Sequence, residues 1–179
     1  MPALTSLHDI YIKARAIKLL ALDVDGVLTD GQLYFSNSGE EMKSFSTLDG
    51  QGIKLLQSTG VAVAVITARS SKLVANRASN LGIKHLVQDC PNKLEALDSL
   101  RKELQLDLSA IAYLGDDLPD LACIRRVGLG VAVPNGHKLI QEQAYCITTA
   151  SGGKGAVREV CDWIMQAQNT FDEAVARYF

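Results

Sequence analysis

The sequence predicts an α/β fold, a Rossmann-like three-layer sandwich with a mostly parallel sheet. Short apolar, β-branched runs alternate with helical patterns along the chain, as in successive βαβ units. The runs at 18–23 and 61–67 are apolar almost throughout, which indicates strands that are buried on both faces. A glycine closely follows most of the helical patterns, as is common at helix ends.

The first elements are a helix at 7–15 and the strand at 18–23, which joins it almost directly. The later elements are expected as strands at 61–67, 84–87, 111–115, 129–133 and 145–148, and as helices at 52–58, 70–81, 93–104, 118–127 and 156–167.

Two stretches interrupt the alternation. Residues 31–45 place the turn formers Ser36 to Gly39 between two extended runs, which predicts a β-hairpin that we call the flap. Residues 151–155 are rich in glycine and predict a flexible link. Residues 169–179 are expected to form a polar tail. Since only the flap precedes the next helix, we expect one domain, 1–179, without a separate cap domain.

The composition is that of an ordinary globular protein. The chain has 179 residues, of which 47% are hydrophobic and 21% are charged, so a disordered class is excluded. The formal net charge of -2 provides no field that would hold nucleic acid or an anionic membrane. We therefore expect neither as a partner.

The cysteines indicate a reducing compartment. Four cysteines are widely spaced, form no CxxC pair and have no histidines at zinc-site spacing. Charged residues interrupt the first 20 positions, so they contain no signal-peptide core. The longest apolar run, 61–66, is far shorter than the roughly 20 residues that cross a bilayer. These observations predict a cytoplasmic protein.

The run DVDGVLTD, residues 23–30, follows a buried strand directly. Its acidic residues are therefore expected at the carboxyl edge of the sheet, where ligands bind in open α/β folds. Two carboxylates spaced in this way also occur in plain loops and in calcium sites. The pair alone does not decide between these interpretations.

Three later features fall at the same edge. Thr67 ends a strand, Lys93 begins a helix, and the run GDDLPD at 115–120 follows another strand. Taken singly, they are better explained by structural roles, with Thr67 as a helix cap, Lys93 as a solvated charge and Asp117 as an N-cap. Together with Asp23 and Asp25 they supply a nucleophile, an acid/base group, a hydroxyl donor, an ammonium group and acids for a cation. This set predicts phosphoryl transfer.

These runs, in this order, resemble the four motifs of the haloacid dehalogenase superfamily. The further runs FSTLDGQGIK, VITAR and GGKGAVREVCDWI extend the similarity over nearly the whole chain. They resemble the 3-deoxy-D-manno-octulosonate 8-phosphate phosphatases, tetrameric enzymes of lipopolysaccharide sugar synthesis. The resemblance implies a phosphatase for that sugar phosphate and a homo-oligomer, with a tetramer expected.

The resemblance also implies roles for the motif residues. Asp23 would attack phosphorus and Asp25 would act as general acid and base. Mg²⁺ would be bound by the side chain of Asp23, the main-chain carbonyl of Asp25 and Asp116. Thr67 and Lys93 would bind the phosphoryl oxygens.

The implied substrate contacts lie mostly after the flap. They are Ser46, Thr47, Leu48, Asp49, Gly50, Lys54, Arg69, Arg77 and Asp117, together with Asp25 and Lys93. Lys54 stands where many relatives have arginine, which weakens the case for two parallel hydrogen bonds to a carboxylate there. Ala68 stands where glycine is frequent. Salt bridges on a helix surface are the alternative role for Lys54 and Arg77.

Two other functions remain open at this point. A phosphatase for a nine-carbon keto acid phosphate would use the same motifs. A receiver domain of bacterial signalling also combines acids, a threonine and a lysine, but its phosphorylated aspartate follows a middle strand, whereas Asp23 follows the first. Because no cap domain is expected, neighbouring subunits or the tail at 169–179 would have to close the site.

Overall fold

The structure, a computed structural model, describes residues 5–179. Its strands are β1 (Leu19–Leu22), β2 (Tyr34–Phe35), β3 (Glu41–Met42), β4 (Ala62–Ile66), β5 (His85–Val87), β6 (Ile111–Gly115), β7 (Leu129–Ala132) and β8 (Cys146–Ile147). Six of these strands form one parallel sheet in the order β5-β4-β1-β6-β7-β8. The other two, β2 and β3, pair only with each other and form the expected flap.

The helices are α1 (Leu7–Ala14), α2 (Thr47–Ser58), α3 (Lys72–Leu81), α4 (Lys93–Glu103), α5 (Leu121–Ile124), α6 (Lys138–Gln143), α7 (Ala156–Ala167) and α8 (Phe171–Val175). Short 3-10 turns cover Leu108–Ala110, Leu118–Asp120 and Ala176–Tyr178. Within residues 5–179, no helix combines the length and the apolar character needed to cross a bilayer.

The sheet separates two cores. Leu20 and Leu22 of β1 face one side, where they join the core built with α1, α2, α3 and α7. Leu19 and Ala21 face the other side and pack with α4, α5 and α6. Successive side chains of a strand point to opposite faces, so a fully buried β1 needs helices on both sides. The predicted three-layer α/β fold is confirmed.

The register of the sheet places the strand ends together. Leu22 lies beside Val65 of β4 and beside Leu114 of β6. The residues that follow these three strands therefore emerge at one edge of the sheet, next to each other.

Several element boundaries differ from expectation. Helix α2 begins at Thr47 rather than at residue 52, because the hydroxyl of Ser46 accepts the Asp49 N–H at 3.4 Å and caps the helix. The helix expected at 118–127 is divided into a 3-10 turn and the short α5. Helix α6 was not predicted at all, since its six residues are too few for a periodic signal.

The glycine-rich link and the expected tail both contact the rest of the fold. In the glycine-rich link, Gly152 N–H donates to Asn135 Oδ1 at 2.7 Å and Gly153 N–H donates to Val27 O at 2.8 Å, so the expectation of a flexible link was wrong. The expected tail contains α8, whose Phe171 and Val175 pack against the core.

Candidate active site

One group of side chains lies at the carboxyl edge of the sheet, and we call it the sheet-edge cluster: Asp23, Thr67, Lys93, Asp116 and Asp120. Asp23 follows β1, Asp116 follows β6, and Lys93 begins α4. Thr67 follows β4, the neighbour of β1. Apart from the half-buried Asp116, all are buried. The sequence predicted that four of these residues share an edge, and the structure places them there.

Lys93 joins two acids of the cluster. Its Nζ lies 2.8 Å from Asp23 Oδ1 and 2.7 Å from Asp120 Oδ1, and only 4% of its side chain is exposed. Burial alone would lower the pKa of Lys93, but the charges of Asp23 and Asp120 outweigh burial and raise it. The ammonium group therefore stays charged beside the proposed nucleophile.

Asp120 was not among the predicted site residues. Its Oδ1 accepts hydrogen bonds from Lys93 and from the Tyr113 hydroxyl, at 2.7 Å each. Its Oδ2 accepts the N–H groups of Asp116 at 3.1 Å and Asp117 at 3.3 Å. With four donors it holds Lys93 and the 115–120 loop in place. The third acid of GDDLPD was the sequence signal for this role.

The acids of the cluster fit a divalent cation. Asp23, Asp116 and Asp120 each offer an oxygen, and these oxygens lie within 4.8 Å of one another. Burial, then the charge of Asp120, raises the pKa of Asp23 to about 6. Burial, then the charge of Asp23, raises the pKa of Asp116 to about 8. Because Asp120 already has four donors, Asp23 and Asp116 are the side chains suited to bind a cation.

The loop after β1 brings its backbone close to this cluster. Gly26 has φ +93°, and a Cβ atom there would lie 2.0 Å from Asp116 Oδ2. Only glycine fits this position. The hydroxyl of Thr29 accepts the N–H groups of Gly26 and Gly31 at 3.3 Å each, which fixes the turn. Asn135, which the sequence analysis missed, donates to Gly26 O at 3.1 Å.

Asp25 is paired with the flap. Lys43 Nζ forms an ion pair with Asp25 Oδ1 and lies 3.3 Å from Glu41 Oε1. Arg69 Nη2 lies 2.9 Å from Glu41 Oε1, and Arg69 Nε lies 3.9 Å from Asp25 Oδ2. We call Asp25, Glu41, Lys43 and Arg69 the flap network. Neither Glu41 nor Lys43 was predicted, because charged residues on a hairpin normally face solvent.

The predicted substrate segment, 46–50, forms the start of α2. Thr47 and Leu48 are exposed there, whereas Asp49 is only 1% exposed. The carboxylate of Asp49 accepts the N–H groups of Arg158 at 2.9 Å and Gly155 at 3.3 Å, at the start of α7. The side chain of Asp49 therefore has structural partners within the protein, and its contact with substrate stays a prediction. Asp49 caps α7 and joins it to α2.

Arg77 is held by the same segment. Its Nη2 donates to Ser46 O at 3.0 Å, and its guanidinium lies 5.7 Å from the centre of the Phe45 ring. A Cβ atom on Gly50 would lie 2.3 Å from Arg77 Nη2, so Gly50 makes room for the arginine. Gly50 is itself buried, and its predicted contact with substrate stays a prediction.

Lys54 and Asp117 are exposed. The side chain of Asp117 accepts the Leu118 N–H at 2.8 Å and caps the Leu118–Asp120 turn, which is the structural role that the sequence left open for it. Lys54 lies on the outer side of α2, one turn beyond the 46–50 segment.

The parallel sheet, the acidic loop after its first strand and the buried Lys93 define a hydrolase of the haloacid dehalogenase type. Residues 89–160 match the model of the family described as haloacid dehalogenase-like hydrolase. Within these hydrolases, the chain belongs to the family of the 3-deoxy-D-manno-octulosonate 8-phosphate phosphatases.

Three relatives show how far the similarity extends. The chain is 48% identical over 166 residues to the phosphatase KdsC of Escherichia coli K12, which covers 93% of this chain and 88% of KdsC. It is 48% identical to the phosphatase of Moraxella catarrhalis, solved with magnesium, phosphate and KDO, with a TM-score of 0.94 over 97% of this chain and 100% of that one. The cobalt-bound enzyme of Haemophilus influenzae is 37% identical, with a TM-score of 0.87 over 92% and 97% of the two chains.

Proposed function

We propose that this chain is a Mg²⁺-dependent phosphatase that hydrolyses 3-deoxy-D-manno-octulosonate 8-phosphate to the free sugar acid and phosphate. The observation that carries the proposal is the contact of 2.8 Å between Asp23 and Lys93, beside Asp116 in one acidic cluster. It brings together a nucleophile, a cation for phosphoryl oxygens and a metal-binding carboxylate. The substrate follows from the relatives, one of which holds KDO and phosphate in its crystal structure.

The reaction proceeds in two steps. Asp23 attacks phosphorus, and the bond between phosphorus and the sugar oxygen breaks while Asp25 donates a proton to that oxygen. Asp25 then takes a proton from water, which attacks the aspartyl phosphate and restores Asp23. Thr67 and Lys93 donate hydrogen bonds to the phosphoryl oxygens in both steps.

Mg²⁺ would be bound by the Asp23 side chain, the Asp25 main-chain carbonyl and Asp116. When bound, it offsets the repulsion between an anionic nucleophile and an anionic phosphate. The donors fit a hard cation because they are all oxygens and two of them are carboxylates in a buried, acidic surrounding.

The carboxylate of the sugar acid would bind on the flap side of the site. Arg69 carries the exposed guanidinium nearest to Asp25, at 3.9 Å from its carboxylate, and arginine binds carboxylates with two parallel hydrogen bonds. The exposed Thr47, Leu48, Lys54 and Asp117 remain proposed sugar contacts. Ser46 and Arg77 line the start of α2 beside them.

We also propose a homotetramer in the cytoplasm. The flap exposes large apolar side chains, at 45% for Leu33, 43% for Tyr34, 60% for Phe35 and 59% for Met42. Such a patch is suited to contact a second copy, which would also shield the open edge of the site. The four cysteines are free and buried, as is typical of a reducing compartment.

The test is a comparison of kcat/KM across phosphate esters. We expect kcat/KM for the octulosonate 8-phosphate to exceed that for glucose 6-phosphate by at least about a hundredfold. Glucose 6-phosphate lacks a carboxylate, and the loss of one charge-assisted hydrogen bond has an effect of about this size. A nine-carbon keto acid phosphate in the same panel tests the alternative substrate. Equal values of kcat/KM for all esters would contradict the proposal. A higher value for the nine-carbon ester would show that this ester, and not the octulosonate 8-phosphate, is the substrate.

A further inference from the structure

Lys43 of the flap has an unusual environment for a hairpin lysine. Only 1% of its side chain is exposed. Its ammonium forms an ion pair with Asp25 Oδ1 and lies 3.3 Å from Glu41 Oε1. Glu41 and Lys43 are two residues apart on extended chain, so their side chains share one face of the hairpin. That face is turned towards the site.

A buried ammonium is stable only when opposite charges surround it. The flap itself provides little stability, since β2 and β3 have two residues each and pair only with one another. The contact between Lys43 and Asp25 therefore fixes the flap and the carboxylate relative to each other.

Asp25 has few other restraints. Its side chain is 23% exposed, and within residues 5–179 the hydrogen bond from Lys43 is the one its carboxylate accepts. Arg69 Nε is more distant, at 3.9 Å from Oδ2. Without Lys43, the carboxylate could rotate about its side-chain bonds into solvent. A displacement of about 1 Å is enough to impair a proton transfer.

We propose that Lys43 is a positioning residue, which holds the side-chain carboxyl group of Asp25 in the orientation from which it donates its proton to the leaving oxygen. This inference rests on the acid role of Asp25 in the proposed function. It assigns no contact between Lys43 and the transferred phosphoryl group, which is bound by Thr67 and Lys93. The loss on removing Lys43 should therefore depend on how much the leaving group needs a proton.

The experiment compares wild type with Lys43→Met on a series of alkyl and aryl phosphates. An alkoxide must be protonated as it leaves, whereas 4-nitrophenolate leaves without a proton. We expect kcat/KM for alkyl phosphates to fall about 30-fold or more, within the range of acid catalysis, and kcat/KM for 4-nitrophenyl phosphate to fall less than about threefold. The conservative variant Lys43→Arg should restore most of the alkyl phosphate activity.

The control is Lys102→Met, which removes an exposed lysine paired with Asp98 on α4 at 2.6 Å. It should leave the whole series unchanged. If circular dichroism shows that Lys43→Met is unfolded, the same comparison is made with Lys43→Ala, which also removes the donor but buries no long apolar side chain.

Equal losses on alkyl and aryl phosphates would overturn the proposal, because a structural role lowers all activities together. The test does not depend on the identity of the sugar. If the wild type does not hydrolyse the octulosonate ester but hydrolyses other alkyl phosphates, the proposed substrate is wrong. The comparison of alkyl with aryl phosphates still tests the role of Lys43 in that case.

Discussion

The sheet-edge cluster and the flap network differ in how their charges are held. In the sheet-edge cluster, Asp23 directly follows β1 and Asp120 lies in the turn after β6, and both are buried and share Lys93 between them. In the flap network, Glu41 and Lys43 belong to a small hairpin outside the main sheet, and Arg69 is 44% exposed. The first group is fixed by the fold. The second is fixed by its own ion pairs.

This difference separates two parts of the proposed function. Phosphoryl transfer needs charges in fixed positions, which a buried strand end provides. Selection of a sugar requires access from solvent and movement on release, which an exposed hairpin provides. Substitutions in the cluster should therefore affect every substrate, whereas substitutions at the flap should discriminate between substrates.

The largest effect is expected from Asp23→Asn. Turnover should fall by more than about a thousandfold on every ester, because the amide cannot form the covalent intermediate. The far-UV circular dichroism should stay that of the wild type, since Lys93 keeps its contact with Asp120. EDTA should likewise abolish wild-type turnover, and robust activity in EDTA would contradict metal dependence.

Lys93→Ala and Arg69→Ala compare the sheet-edge cluster with the flap network. Lys93→Ala should lower kcat about a hundredfold or more on both sugar and aryl phosphates, because the transferred group is common to them. Arg69→Ala should raise KM for the sugar acid phosphate about tenfold and leave 4-nitrophenyl phosphate nearly unchanged. If both variants changed both substrates alike, the division between the regions would be wrong.

Asp116→Asn should lower activity but raise the stability of the metal-free protein. The pKa of Asp116 rises from 3.8 to about 8 on folding, so without a cation the folded state binds more protons between these values. Its stability therefore falls as pH rises through that window. Metal-free Asp116→Asn should be more stable than wild type at pH 8 by about 1 to 2 kcal/mol, a few degrees in Tm.

Thermal unfolding with and without Mg²⁺ measures this effect. Mg²⁺ should stabilise the wild type more at pH 8 than at pH 5 and should not stabilise Asp116→Asn. Asp172→Asn, which changes an exposed acid on α8, serves as the matched control. If Mg²⁺ stabilised Asp116→Asn as much as Asp172→Asn, Asp116 would not be a ligand of the metal.

The smallest effect is expected at the carboxyl terminus. The proposed gating role of the tail can be tested without loss of packing by removing 176–179, since Phe171 and Val175 of α8 remain on the core. This cut removes Tyr178, whose hydroxyl contacts Gln51 of α2. KM and kcat for the sugar phosphate should change about two- to fivefold, with aryl phosphate unchanged. If the truncated enzyme had the same KM and kcat as the full-length enzyme on both substrates, residues 176–179 would have no role in catalysis.

The sheet-edge cluster was largely predictable from sequence. Residues that follow buried parallel strands must meet at one edge, so Asp23, Thr67 and Asp116 could be placed from strand order alone. Asp120 was missed because the run GDDLPD shows that it is acidic but not that it accepts four hydrogen bonds. Its hydrogen bonds come from a strand, a helix and its own loop.

The flap network was not predictable in the same way. Turn formers between two extended runs predict the hairpin, but they do not say which face folds back over Asp25, because that depends on long-range ion pairs. The same limit explains Asp49, whose carboxylate caps α7 more than a hundred residues away in the chain. The resemblance placed Asp49 in the substrate segment, and only the fold shows that its carboxylate also caps α7.

In the proposed reaction, Asp23 is the residue that accepts the phosphoryl group. In Asp25→Asn, 4-nitrophenyl phosphate should still phosphorylate Asp23, while hydrolysis of the intermediate slows because the general base is lost. Rapid quenching followed by peptide mass spectrometry should then find the added mass of one phosphoryl group on Asp23. A phosphoryl group on another residue, or a burst of 4-nitrophenol with no phosphorylated peptide, would contradict the account.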